Sequence, residues 1–91
     1  MNISPNADVK SPQLQAAIVE PILKLCIDGI TMDELKIKTD KMLPLMYTIA
    51  KKYLFYLIEY EVISYDGQKR IFIIKDEGYN LLHLIEDEKN N

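Results

Sequence analysis

From residue 11 onward apolar residues recur at helical spacing, interrupted once by a pair of β-like runs, and these changes of period divide the chain. Ser11-Pro12 places a capping hydroxyl ahead of a proline at a first helical position. Leu14, Ala17, Ile18, Ile22 and Leu25 follow three or four residues apart. This predicts a first helix ending near Asp28-Gly29, kinked at Pro21, which donates no backbone hydrogen bond and crowds the carbonyl four residues back. After Ile30, Thr31-Met32-Asp33-Glu34 sets a hydroxyl three residues before a glutamate, the pattern of a capping box, and predicts a short second helix over about residues 32–38. Thr39-Asp40-Lys41 reads as a turn and Pro44 as the start of a third helix.

The third helix carries the longest pattern. At about 100° per residue, Met46, Ile49, Ala50, Tyr53, Leu54 and Leu57 share one face, while Thr48, Lys51, Lys52, Phe55 and Glu59 share the opposite one. Residues 62–65 and 70–74 are β-rich and are joined by Asp66-Gly67-Gln68-Lys69, where Asp-Gly is a strong hairpin signal. From Asp76 the period turns helical again through Tyr79, Leu82 and Ile85, with Leu81 and Leu84 beside them. The predicted class is α+β, mainly α: three helices, a two-stranded hairpin and a C-terminal helix. Residues 1–10 read as a flexible tail, 11–86 as the domain and 87–91 as a flexible acidic tail.

With 91 residues, 48% apolar and 27% charged, the chain suits one small folded domain and excludes a multidomain enzyme. Net charge is −3, which gives no bulk footprint for nucleic acid or anionic membrane, but the charge is unevenly spread. Residues 41–70 carry five basic residues and three acids, so the middle third is the basic part of an acidic chain. Cys26 is the single cysteine and has no internal partner, which favours a reducing compartment. The first twelve residues lack an apolar leader core, and the longest apolar run, 53–58, is far short of a membrane span. The expected location is cytoplasmic, with no membrane partner.

Catalytic chemistry finds little to stand on. His83 and Cys26 are single residues within separate apolar helical runs, where packed residues are the common outcome. The chain has no zinc-ligand spacing and no glycine-rich phosphate loop, and it calls for no cofactor, metal or small-molecule substrate. Glu86-Asp87-Glu88 reads as a solvated acidic run.

Three helices followed by a hairpin is the order of a winged helix-turn-helix. The stretch Lys51-Lys52-Tyr53-Leu54-Phe55-Tyr56-Leu57-Ile58-Glu59-Tyr60-Glu61-Val62-Ile63 resembles the end of the recognition helix and first wing strand of archaeal winged-helix regulators, whose pattern is K-K-Y-L-x-x-L-x-x-x-G-L-I. Ile74-Lys75-Asp76-Glu77-Gly78-Tyr79-Asn80-Leu81-Leu82 is similar to the same family's I-T-x-x-G-x-x-L-L run into its last helix. The resemblance spans about residues 22–85 and implies a transcriptional regulator of a cellular or viral archaeal setting. Glu61 stands where the pattern has glycine, so the third helix is expected to run on or to end under strain. Lys75 replaces a capping threonine, which leaves Asp76 to cap a shifted helix start. Phe55-Tyr56 replaces a polar pair and suggests a buried use for that edge.

The resemblance puts the third helix in a major groove of double-stranded DNA, with Tyr47, Thr48, Lys51 and Lys52 as contacts and Gln68, Lys69 and Arg70 of the wing on flanking backbone or minor groove. Few phosphate contacts per chain make a homodimer almost obligatory. Surplus apolar residues Leu14, Ile18, Phe55, Leu81, Leu82 and Ile85 are the expected dimer interface. The competing reading is a winged-helix protein-interaction module built on Leu45, Phe55 and Tyr56. One continuous positive face over Lys51, Lys52, Lys69 and Arg70 favours DNA; interruption by Glu59, Glu61 and Asp66 favours the module.

Overall fold

A computed structural model describes residues 14–89. Seven elements follow one another: α1 (Ala16–Leu25), β1 (Ile30–Thr31), α2 (Met32–Asp40), α3 (Met46–Glu59), β2 (Ile63–Asp66), β3 (Ile71–Ile74) and α4 (Asp76–Lys89). Pro21 lies inside α1, and Ala17, whose carbonyl loses a partner there, stands at an exposed position where water can replace it. Helix α1 starts at Ala16, after an extended Gln15, rather than at the expected Ser11-Pro12; Ser11 itself lies outside the described residues. Ile22 and Leu23 of α1, Ile30 of β1, Leu35 of α2, Leu57 of α3 and Ile63 of β2 are fully buried and form the centre of one core. Burial of each such side chain is worth about 1.5–3 kcal/mol.

The capping box forms as its spacing requires: the Thr31 hydroxyl accepts from the Glu34 amide at 3.1 Å, and the Glu34 carboxylate accepts from the Thr31 amide at 3.0 Å. The turn expected at Thr39 is instead the last turn of α2. There the Thr39 hydroxyl donates to the Leu35 carbonyl at 2.7 Å, so the side chain is satisfied locally and can be buried. Pro44 does not open α3; the helix starts two residues later, after Leu45 takes a left-handed conformation with φ 66°.

The sheet has three strands, not the expected two. Short β1 pairs antiparallel with β3 (Ile30 opposite Phe72), and β2 pairs with β3 on its other side (Ile63 opposite Ile74), giving the order β1-β3-β2. The two residues of β1 are too few to show an alternating pattern. The hairpin is present, but Gly67 is not at a positive-φ turn centre. Asp66 ends β2 and its Oδ1 accepts the Gln68 and Lys69 amides at 2.9 and 3.2 Å, while Arg70 supplies the left-handed residue with φ 57°.

Helix α3 ends at Glu59 and does not run on. The Glu61 amide bonds the Ile58 carbonyl and the Val62 amide bonds that of Leu57, both at 3.0 Å, with Glu61 left-handed at φ 61°. This is a Schellman closure with glutamate in the glycine position. Helix α4 is not shifted either. Asp76 is its first helical residue rather than its cap, and the Lys75 carbonyl accepts the Tyr79 amide at 3.1 Å. Gly78 in its first turn is pressed against the Val62 carbonyl oxygen, which leaves no room for a Cβ. The helix continues to Lys89, into the stretch expected to be a loose tail, and Lys89 there reaches the α1 carboxylate of Glu20 at 2.9 Å.

Candidate nucleic-acid interface

Helix α3 packs against α2, and its buried side consists of Met46, Ala50, Leu54 and Leu57. Thr48, Lys51, Lys52, Phe55 and Glu59 are all exposed, as the helical period predicts. The exposed surface divides into two edges. On the edge facing α2 and the hairpin, Tyr47, Lys51 and Ile58 lie within about 40° of one another around the helix. Tyr47 is half-buried against the core, so its ring serves less as a free contact than as a platform. The Lys51 ammonium sits 4.7 Å from the ring centroid, and that of Lys36 of α2 lies 6.0 Å from it.

Beyond Ile58 that edge meets the hairpin. Ile58, Tyr65, Lys69 and Arg70 border one open recess together with Met32 and Asp33 at the start of α2. Tyr65 and Phe72, opposite one another across the hairpin, stack with centroids 4.8 Å apart and brace the strands that carry the basic tip. Gln68, Lys69 and Arg70 are exposed. Basic side chains therefore stand at both ends of that edge, Lys36 and Lys51 at Tyr47 and Lys69 and Arg70 beside Ile58. Asp33 is the acid at its border; Glu61 pairs instead with Lys75 at 3.4 Å, and Asp66 is occupied in capping the turn. The sequence reading missed Lys36, since only the packing of α2 on α3 brings it to Tyr47.

Lys52 lies on the second edge of α3, around a recess shared with Tyr53, Phe55, Tyr56 and Glu59. Phe55 is 76% exposed. The other expected interface residues behave differently. Leu82 and Ile85 are buried in the chain's own core, and Leu14, Ile18 and Leu81 are half-buried against it, so the α4 strip is not an open seam. The strip looked too broad because α4 turns its apolar side toward both α1 and the sheet. Leu84 is the exception, 60% exposed.

Cations are segregated by their pairing. Lys24, Lys75 and Lys89 hold carboxylates, with Lys24 and Lys89 both on Glu20. Among the described residues, Lys36, Lys38, Lys41, Lys51, Lys52, Lys69 and Arg70 form no ion pair. The Lys89 hydrogen bond, aided by Lys24 and opposed by burial, lowers the pKa of Glu20 below the ordinary carboxylate range. Burial pushes the Cys26 thiol up to about 11, and His83 is exposed on α4. Among the described residues, no three metal-ligating side chains of the His, Cys, Asp and Glu types come together, and no helix is long and apolar enough to cross a membrane.

Among the described residues these features define a small, mainly helical α+β domain of four helices and a three-stranded antiparallel sheet, with cations that form no ion pair at both ends of one edge of α3. No known protein-family model matches the chain, and no curated protein sequence matches it significantly.

Proposed function

We propose that this chain is a winged helix-turn-helix protein that binds double-stranded DNA as a small dimeric transcriptional regulator. In this reading α2 and α3 are the helix-turn-helix and the β2–β3 hairpin is the wing. Pairing of β1 with β3 ties the start of α2 to the wing, so that the helices and hairpin approach a duplex as one body. The observation that carries the reading is the pairing of charge: among the described residues the cations of α2, α3 and the hairpin tip form no ion pair, whereas Lys24, Lys75 and Lys89 are held by Glu20, Glu61 and Glu86. Lys36, Lys51, Lys69 and Arg70 are suited to phosphates, and Thr48 and Gln68 to backbone or base edges.

The test is an anisotropy titration of a mixed-sequence duplex at about 50 and 200 mM salt. Four phosphate contacts per chain, eight per dimer, imply a loss of roughly four orders of magnitude in affinity over that range. The triple variant Lys51→Ala, Lys69→Ala, Arg70→Ala, all at exposed positions, removes about six contacts from the dimer and flattens the log–log salt slope by about 5.4. Absence of binding at the lower salt, or a triple variant with the wild-type slope, overturns the reading. The protein-interaction module then becomes the leading account, favoured by Leu45, which is 75% exposed at the α2–α3 turn.

A further inference from the structure

We infer that the second edge of α3 is the dimer seam, and that its occupant is the same edge of a second copy running antiparallel. Lys52, Phe55, Tyr56 and Glu59 occupy positions i, i+3, i+4 and i+7 of one helix, the diamond that faces a packed neighbour. Around the helix they centre on one direction, with Lys52 and Glu59 in the middle and the two aromatic residues on either flank. Lys52 and Glu59 are each three and a half residues, about 5 Å, from the midpoint between Phe55 and Tyr56. Antiparallel pairing about that midpoint places Lys52 of each copy opposite Glu59 of the other. Phe55 and Tyr56 then meet their own counterparts beside the two-fold axis.

The patch is thus self-complementary in charge, as an isologous contact requires. It is also unoccupied among the described residues: Lys52 and Glu59 form no ion pair there, Phe55 is 76% exposed, and the recess beside it is about 440 Å³. Lys52 and Glu59 are two turns apart on one helix, too far to neutralise each other in a single copy.

The geometry has a consequence for DNA. Two antiparallel helices are related by a two-fold axis lying in the plane between them. A residue about 90° around the helix from the seam therefore points along that axis, to the same side of the dimer in both copies. Lys51 and Tyr47 lie about 90–130° from the centre of the seam. The pairing collects both basic edges on one face of the dimer and moves Lys52, together with Thr48 one turn before it and about 30° from the centre of the seam, from the DNA contacts to the seam. The inference rests on the homodimer of the proposed reading, but it is tested without DNA, so the two fail separately.

The experiment is sedimentation equilibrium of the full chain over about 1–200 μM, a range suited to a seam smaller than a standard interface. The wild type shows a monomer–dimer equilibrium. Lys52→Glu and Glu59→Lys each weaken it at least about tenfold by placing like charges across the seam twice. An equimolar mixture of the two variants restores dimers, because every facing pair is then opposite in charge. All four residues are exposed or half-buried, and circular dichroism checks that each variant retains the fold. A wild type that stays monomeric, single variants that dimerise like it, or a mixture that gains nothing over its components would each overturn the seam. A monomer throughout would give the Phe55 recess to residues 1–13 or to a different protein, and salt-dependent DNA binding would still stand.

Discussion

Three residues other than glycine hold left-handed backbone here, and each sits where the chain changes direction: Leu45 before α3, Glu61 after it and Arg70 at the hairpin. Such a conformation costs an L-residue about 1–2 kcal/mol, so each is kept by its surroundings. At Glu61 the two closing hydrogen bonds and the buried Val62 and Leu57 supply that constraint. The side chain contributes little in return, because its pairing with Lys75 is solvent-exposed. Glu61→Gly should therefore raise the denaturation midpoint by an amount equivalent to about 1 kcal/mol, with an unchanged denaturant slope. The glutamate in a glycine position was legible in the sequence. Its outcome was not, because local propensity does not say whether packing at Val62 is strong enough to hold the strain.

Among the elements, α1 and α4 are held together at their polar rim by one carboxylate. Glu20 is buried beneath Lys89 and Lys24, while Glu86 takes the far side of Lys24 at 3.7 Å. Its lowered pKa means that the folded state favours the ionised form. The resulting stability is present above the unfolded carboxylate value and is lost as pH falls through the depressed folded value. Melting temperature should thus drop between about pH 5 and pH 3, and Glu20→Gln should lower it at pH 7 while making this acid limb shallower. An equally steep limb in the variant would assign acid sensitivity to other groups, of which Glu34 in the capping box is the next candidate. The sequence showed the acidic end of α4 as a tail because the partner of Lys89 is 69 residues away. The boundaries at Thr39 and Pro44 were misplaced for a related reason: a buried threonine bonded to its own helix, and a proline ahead of a left-handed leucine, look locally like a turn and a helix start.

For the whole molecule, charge and shape give opposite expectations at one position. Glu59→Lys makes the chain more basic and on charge alone should tighten DNA binding. If α3 is the seam, the same change separates the copies and halves the phosphate contacts, so affinity and salt slope both fall, the slope by about half. Parallel salt titrations of Glu59→Lys and wild type decide between these, and a tighter complex would speak against a dimer bound through α3. What the sequence determined by itself was whatever depends on neighbours within about four residues: the helical periods, the capping box at Thr31 and Glu34, the hairpin runs and the exposed side of α3. What only the tertiary structure decided was whatever joins distant segments. It added β1 to the sheet, brought Lys36 to Tyr47, and covered Leu82 and Ile85 with the chain's own core. It also gave Lys51 and Lys52 different surroundings, one over the Tyr47 ring and the other beside Phe55. Periodicity tells which residues share a face, but the partner of that face is set by packing across the chain, where burial of the whole core outweighs any local preference.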